Sequence, residues 1–217
     1  MGRTQTEVVG MSGTVDSVSH AVARAIPHLK WRHHGIGVLQ AYLREVEVGV
    51  ESRVHIWHDE LVIPGMEESG QIHDHRFDLE SMILYGTMEH TEFMLTEDPD
   101  GPWQKYTVQN ARQFQSMDKR SALIGKPEQM TGAFRAELVT FKIPAGSRYL
   151  FPKRAFHRST TKGLVVSLIT KRNQESDPAV LLVPRPYSAE PTHGFANSWS
   201  EDRFVPFLRD AVDCLLS

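Results

Sequence analysis

"GQIHDHRFDLESMILYG", residues 70–86, sets His73 and His75 one residue apart ahead of a β-type apolar run that ends in glycine. In an extended chain side chains alternate with period two, so imidazoles at i and i+2 share a face and can grip one ion together. Neutral imidazole suits Zn, Cu, Fe and Ni. Two ligands are too few for a stable site, so a third must come from another strand. His157 in "FPKRAFHRS", residues 151–159, is the strongest of the remaining histidines, because it closes an extended stretch opened by Gly146 and Pro152.

The surroundings of these segments are β-like. "SRVHIWHDELVIPG" (52–65), "ESMILYGTMEHTEFMLT" (80–96), "KYTVQ" (105–109), "FRAELVTFKIPAG" (134–146), "SRYLFPKRAFHRSTT" (147–161), "GLVVSLITKR" (163–172) and "AVLLVP" (179–184) are short β-prone runs separated by turn signals. That spacing predicts an all-β barrel or sandwich. Outside it, "VDSVSHAVARAIPHL" (15–29) has helical periodicity, with Asp16 or Ser17 as cap and Pro27 as terminator. "GVLQAYLREVE" (37–47) places Val38, Leu39, Tyr42 and Leu43 on one helical face, and "SEDRFVPFLRDAVDCLL" (200–216) reads as a closing helix capped by Ser200. The expected organisation is one β-barrel with helical flanks. Residues 1–48 form a tail and helices packed on the barrel, 49–185 the barrel, and 186–217 a proline-rich loop and C-terminal helix.

Composition narrows the function classes. With 40% hydrophobic and 24% charged residues the chain has the balance of an ordinary soluble globular protein, expected in the cytoplasm. A net charge of −3 leaves no nucleic-acid footprint, and no apolar run approaches the roughly 20 residues that span a bilayer. Cys214 is the single cysteine, which excludes an intramolecular disulfide and a Cys-rich zinc site.

Across residues 50–185 the sequence resembles the cupin superfamily, whose barrels carry a His-x-His motif closed by glycine and a second motif of glycine, proline and histidine. His73, His75 and Gly86 match the first; Gly146, Pro152 and His157 match the second. Arg154 replaces the usual inner glycine, and Thr161 stands where asparagine is common. The resemblance implies a cupin jelly-roll barrel with a metal held by His73, His75 and His157. Glu80 takes the carboxylate position when counted from the histidines, but Leu79 takes it when counted back from Gly86. One residue of slip turns a strand side chain to the opposite face, so the two counts disagree about Glu80. The same string is similar to thiol dioxygenases, whose iron is held by three histidines alone.

On that resemblance the leading expectation is a mononuclear non-haem Fe(II) dioxygenase or oxygenase acting with O2 on a small chelating metabolite. Phe77, Ile83, Tyr149 and Phe151 are candidate apolar walls, and Arg53, Tyr85 and Arg158 are candidate catalytic or substrate-binding groups, with Lys171 also near the pocket. If the substrate carries a carboxylate, Arg53 or Arg158 is the residue type to bind it. Thiol dioxygenases support substrate with Ser-x-His-x-Tyr after the third histidine; here Ser167 matches, but Ile169 and Lys171 replace the other two. Cysteine dioxygenase activity is therefore not expected. The alternatives are a Zn- or Mn-dependent isomerase or lyase and a non-catalytic small-molecule-binding barrel, with Zn, Mn or Ni as the other metals expected of the site; a homodimer is implied by resemblance only. His55 and His58, three apart in a strand, should face opposite ways, His90 should face solvent, and His33 and His34 should be packing or surface residues.

Overall fold

The computed structural model describes residues 8–10, 12–34, 36–43, 51–63, 72–108, 128–186 and 201–217. In chain order these form β1 (Val8–Gly10), α1 (Ser12–Ala25), β2 (Trp31–His34), β3 (Ile36–Tyr42), β4 (Glu51–Val62), β5 (Asp78–Tyr85) and β6 (Thr87–Glu97). They continue as β7 (Trp103–Val108), β8 (Glu128–Gln129), β9 (Phe134–Pro144), β10 (Ser147–Phe151), β11 (Phe156–Thr161), β12 (Val165–Arg172), β13 (Ala179–Pro184) and α2 (Val205–Leu216). Among the described residues the larger sheet runs β1-β10-β5-β12-β4-β3-β2 and the smaller β11-β6-β9-β7-β13, with β8 beside β7. The strands pair antiparallel throughout. This is the all-β, two-sheet barrel with a helix at either end that the cupin jelly roll implies.

The larger sheet is buried on both faces. Leu39, Val54, Ile56, Leu84 and Val166 point outward into a core closed by Val15, Val22 and Ile26 at α1 and by Phe204, Ala211 and Leu215 at α2. Val38, Trp57, Leu79, Ile83, Tyr149, Phe151, Val165 and Ile169 point inward and meet Met88 and Ile143 of the smaller sheet. Each fully buried Leu, Ile or Phe contributes about 1.5–3 kcal/mol of transfer free energy.

Double burial explains one correction. The helix expected at 37–47 is not formed; residues 36–42 are strand β3, and 44–47 lie outside the described residues. A strand covered on both faces loses its polar alternation, and apolar residues at 38, 39, 42 and 43 then imitate a helical face. The larger sheet consequently takes in β2 and β3, which precede the boundary expected at residue 49. The helix expected at 15–29 is present but starts at Ser12, one turn before the expected cap, and Pro27 falls in a 3-10 turn at Ile26–His28 directly after it. The expected cap Ser200 lies outside the described residues.

Two turns place the strands around the site. Gly86 (φ +81°) links β5 to β6, and a Cβ there would stand 2.4 Å from the Leu164 carbonyl oxygen. Gly146 (φ +84°) links β9 to β10 in open space. Both conformations favour glycine, but only the first also forbids a side chain sterically.

Candidate metal centre

His73 is fixed by the backbone rather than by a long strand. It forms antiparallel bridges with His157 on β11 and with Leu181 on β13. The His73 N–H donates to the His157 carbonyl at 3.1 Å, and the His157 N–H donates back to the His73 carbonyl at 3.0 Å. On either side, Leu182 N–H donates to Ile72 and Asp74 N–H donates to Val180, each at 2.9 Å. The 72–74 segment is thus stitched between β11 and β13. Directly opposed, hydrogen-bonded residues present side chains on the same face, so His73 and His157 are set side by side although 84 positions apart. His75, two residues on, completes the group; its carbonyl accepts the Arg154 N–H at 2.9 Å.

One nitrogen from each of His73, His75 and His157 lies within 4.8 Å of the others. The ring centroids are 4.9, 4.8 and 4.8 Å apart. Small side-chain rotations close that spacing to the roughly 3 Å found between imidazole nitrogens bound at about 2.1 Å from an ion. The donor chemistry fits a metal. His157 Nδ1 is buried and without a hydrogen-bond partner. Burial, then the neighbouring His75, His73 and His90, holds His157 well below the ordinary histidine range, so the ring is neutral, as a ligand must be.

The face opposite the histidines carries a latch that sequence reasoning missed. Asp74, 3% exposed, accepts the Val180 N–H at 2.6 Å and the Arg154 guanidinium at 3.3 Å. Burial pushes the Asp74 carboxyl up, against the pull of those two donors. Arg154 also donates to Glu175 at 2.9 Å and to the Pro178 carbonyl at 2.8 Å. Its φ of +65° is a conformation that glycine takes more cheaply. The arginine at the motif's glycine position therefore keeps the glycine backbone and adds an anchor for the His73–His75 segment.

The other candidates divide by strand face. Phe77 stacks on His75 (4.8 Å, 23°) and Phe151 meets His157 edge-on (4.4 Å, 67°). Ile83 and Tyr149 lie in the same inner cluster, with burial pushing the Tyr149 hydroxyl up to about 12. Glu80 is not in the centre: it shares its strand face with Met82, which packs on the helix-side core, and it pairs with Arg148 and, at 3.7 Å, with Arg172. Counting back from Gly86 was the correct count; Leu79 is the residue that turns inward. Tyr85 is also outside the barrel interior, since a register shift near Val166 turns it to the helix side, where Cys214 raises its hydroxyl pKa. Arg158 alternates away from His157 on β11, opposite Thr91. Arg53 does face inward, but all three of its nitrogens already donate, to Glu51, Gln40 and Tyr42.

His90 corrects a further expectation. It is 1% exposed, stacked on His157 (5.1 Å, 23°) and on Phe141 (5.9 Å, 15°), with Nδ1 3.1 Å from Ser159 Oγ. Burial lowers it to about 4. The signal was present in the sequence, since His90 is two residues from the inward Met88. His55 and His58 face opposite ways as expected: His55 packs edge-on to Trp57 and His58 against Phe207 of α2. His33 is a packing residue, its Nε2 2.6 Å from the Leu61 carbonyl oxygen. A cleft of about 290 Å³ is lined in part by Glu92, Phe93, Lys105, Phe151, Arg154 and Phe156, and none of the three histidines lines it.

No protein-family model matches the chain, and no curated protein matches it in sequence. Among solved structures it is similar to an oxalate decarboxylase variant from Bacillus subtilis, at 10% identity and a TM-score of 0.35 over 79% of this chain and 31% of that one. It is similar to the DMSP lyase DddQ from Ruegeria pomeroyi DSS-3, at 13% identity and a TM-score of 0.35 over 83% of this chain and 73% of that one. It is also similar to the hydroquinone 1,2-dioxygenase PnpCD, at 10% identity and a TM-score of 0.26 over 80% of this chain and 83% of that one. The chain spans about a third of the length of the oxalate decarboxylase it matches.

Proposed function

We propose that the protein is a metal-dependent enzyme in which His73, His75 and His157 hold one divalent ion, Fe(II) foremost, and that it oxidises a small chelating metabolite with O2. The observation that carries this reading is the convergence of three imidazoles with no carboxylate donor in the group, among the described residues. Such a donor set leaves the ion its full positive charge and open coordination positions. A bound ion of this kind supplies O2 activation and orients the substrate's heteroatoms.

The chain's own residues do the rest. The reciprocal hydrogen bonds between His73 and His157 hold two of the rings at fixed separation, and the Asp74–Arg154 latch holds the segment that carries His75. Phe77 and Phe151 lie against His75 and His157 and exclude water from that side of the group. His90, buried and neutral behind His157, limits how far that ring can turn.

The test is the metal content of untagged protein, with His157→Ala and Glu80→Gln beside it. About one iron per chain is expected, lost in the first variant and kept in the second. Zinc or manganese bound in place of iron, and lost in the same way, would overturn the oxidative reading and favour a lyase or isomerase. No metal even after reconstitution with Fe(II) would overturn the site itself.

A further inference from the structure

On the inner face of the larger sheet, away from the histidine group, lies a second polar cluster. β3, β4 and β12 set Gln40, His55 and Ser167 in one cross-strand row, Tyr42, Arg53 and Ile169 in the next, and Glu51 beside Lys171 in a third. Arg53 Nε and Lys171 Nζ converge on the same oxygen, Glu51 Oε1, at 2.5 and 3.0 Å. Arg53 also donates to Gln40 Oε1 at 3.2 Å and to the Tyr42 hydroxyl at 2.5 Å. It is therefore a scaffold whose nitrogens are all engaged, and not the free fork that its residue type suggests.

What this scaffold leaves open is specific. Gln40, 3% exposed, has its oxygen held by Arg53, which turns its amide nitrogen away; that Nε2 is buried without a partner. Both ring nitrogens of His55, across the pair from Gln40, are buried without partners as well. Burial, then Arg53 and Lys171, holds His55 well below the ordinary range, so it is a neutral ring with one N–H to donate. The Lys171 ammonium, 7% exposed, has N–H capacity beyond Glu51 and lies 4.1 Å from the centre of the Phe77 ring. Phe77 in turn stacks on His75, so one aromatic ring separates this cluster from the histidine group.

The charges do not cancel. With Lys171 protonated, Arg53 and Lys171 face one carboxylate, Glu51, and Arg76 is a further cation near Lys171, so the cluster carries net positive charge beside three donors with unused capacity. A buried group of this kind is matched by an anion that accepts several hydrogen bonds at once. A planar carboxylate is that ligand.

We propose that Gln40, His55 and Lys171 form a receptor for one carboxylate group of the substrate, which makes the substrate a carboxylic acid whose other end reaches the metal. This rests on the metal-enzyme reading for the word substrate, whereas the receptor itself is independent of the ion. The test is titration of propionate, with propionamide and inorganic phosphate as comparators, into iron-loaded protein and the His157→Ala variant, followed by ligand-observed NMR.

Propionate should bind saturably to both proteins, and propionamide and phosphate at least about tenfold more weakly. Lys171→Met and Gln40→Leu should each weaken propionate by about tenfold or more, and Lys171→Arg should restore most of it. Circular dichroism of each variant separates lost binding from lost folding. Propionate binding that vanishes in His157→Ala would mean that the carboxylate sits on the metal and overturns the receptor. Equal binding of the amide, preference for phosphate, or full affinity in folded Lys171→Met would overturn it too. Absence of iron in the wild-type protein bears on the proposed function alone, because propionate binding to the His157→Ala variant is read without it.

Discussion

Replacing Arg154 by alanine and by glycine distinguishes what its side chain contributes from what its backbone conformation costs. The guanidinium holds Asp74, which is 3% exposed, and its removal leaves that carboxylate, among the described residues, with the Val180 N–H as its one hydrogen-bond donor. A hydrogen bond to a buried charged group is worth about 1.5–3 kcal/mol. The contact with Glu175 is open to solvent, which screens it, and adds little to this. Arg154→Ala should therefore destabilise the protein by about 2–3 kcal/mol, or about 5–10 °C in Tm for a chain of this length. Arg154→Gly loses the same contacts but relieves a left-handed backbone at φ +65°. Relief of about 1–2 kcal/mol is partly offset by the greater freedom of glycine in the unfolded chain, so the glycine variant should be less damaged by about 0.5–1 kcal/mol. Urea unfolding of the three proteins measures all of this. Because Asp74 lies between His73 and His75, both variants should also bind metal about 10–100-fold more weakly. An alanine variant within 0.5 kcal/mol of wild type, on the order of the scatter for surface changes, would refute the latch. A glycine variant as unstable as the alanine one would refute the backbone argument.

The two turn glycines should behave differently. Gly86→Ala puts a Cβ 2.4 Å from the Leu164 carbonyl oxygen at φ +81° and should cost more than about 2 kcal/mol, whereas Gly146→Ala meets nothing within 4 Å and should cost only the backbone term of about 1–2 kcal/mol. Equal losses in thermal unfolding would count against the steric reading of Gly86. Lys171 is lowered from 10.5 to about 7 by burial and by Arg53, against the pull of Glu51, with Arg76 as a further facing cation and the Tyr42 hydroxyl held by Arg53 beside it. Its folded pKa lies below its unfolded one, so between about 7 and 10.5 the unfolded chain binds more protons and stability rises with pH. The slope is up to about 1.4 kcal/mol per pH unit. Relative to Lys171→Met, wild type should thus gain up to about 2–3 kcal/mol between pH 7 and 9; a flat difference in denaturant unfolding would show that Lys171 is not the titrating group.

Much of the architecture was legible because it depends on local pattern. Turn residues and β-prone runs marked the strands from residue 52 onward, and α1 and α2 showed their periodicity. Strand β3 was not legible, since Val38 and Leu39 enter opposite cores and the alternation that identifies a strand is lost. At the site, the shared face of His73 and His75 followed from period two, as did the opposed faces of His55 and His58. Glu80, Tyr85, Arg158 and His90 were misplaced, each because the face of a strand residue depends on register and on which side is covered. A bulge near Val166 decided Tyr85, and the cover provided by α1 and α2 decided Glu80.

By itself, then, the sequence determined that a β-barrel with histidines at 73, 75 and 157 was to be expected, since composition, turn chemistry and side-chain alternation act over a few residues. Tertiary structure alone decided that His73 exchanges both backbone hydrogen bonds with His157, that Arg154 at a glycine position anchors Asp74, and that Gln40, His55 and Lys171 share the inner face of the larger sheet, in the first and third of three polar rows. These are relations between residues far apart in the chain. They are set by strand register and by which face is covered, and neither is written in any local stretch.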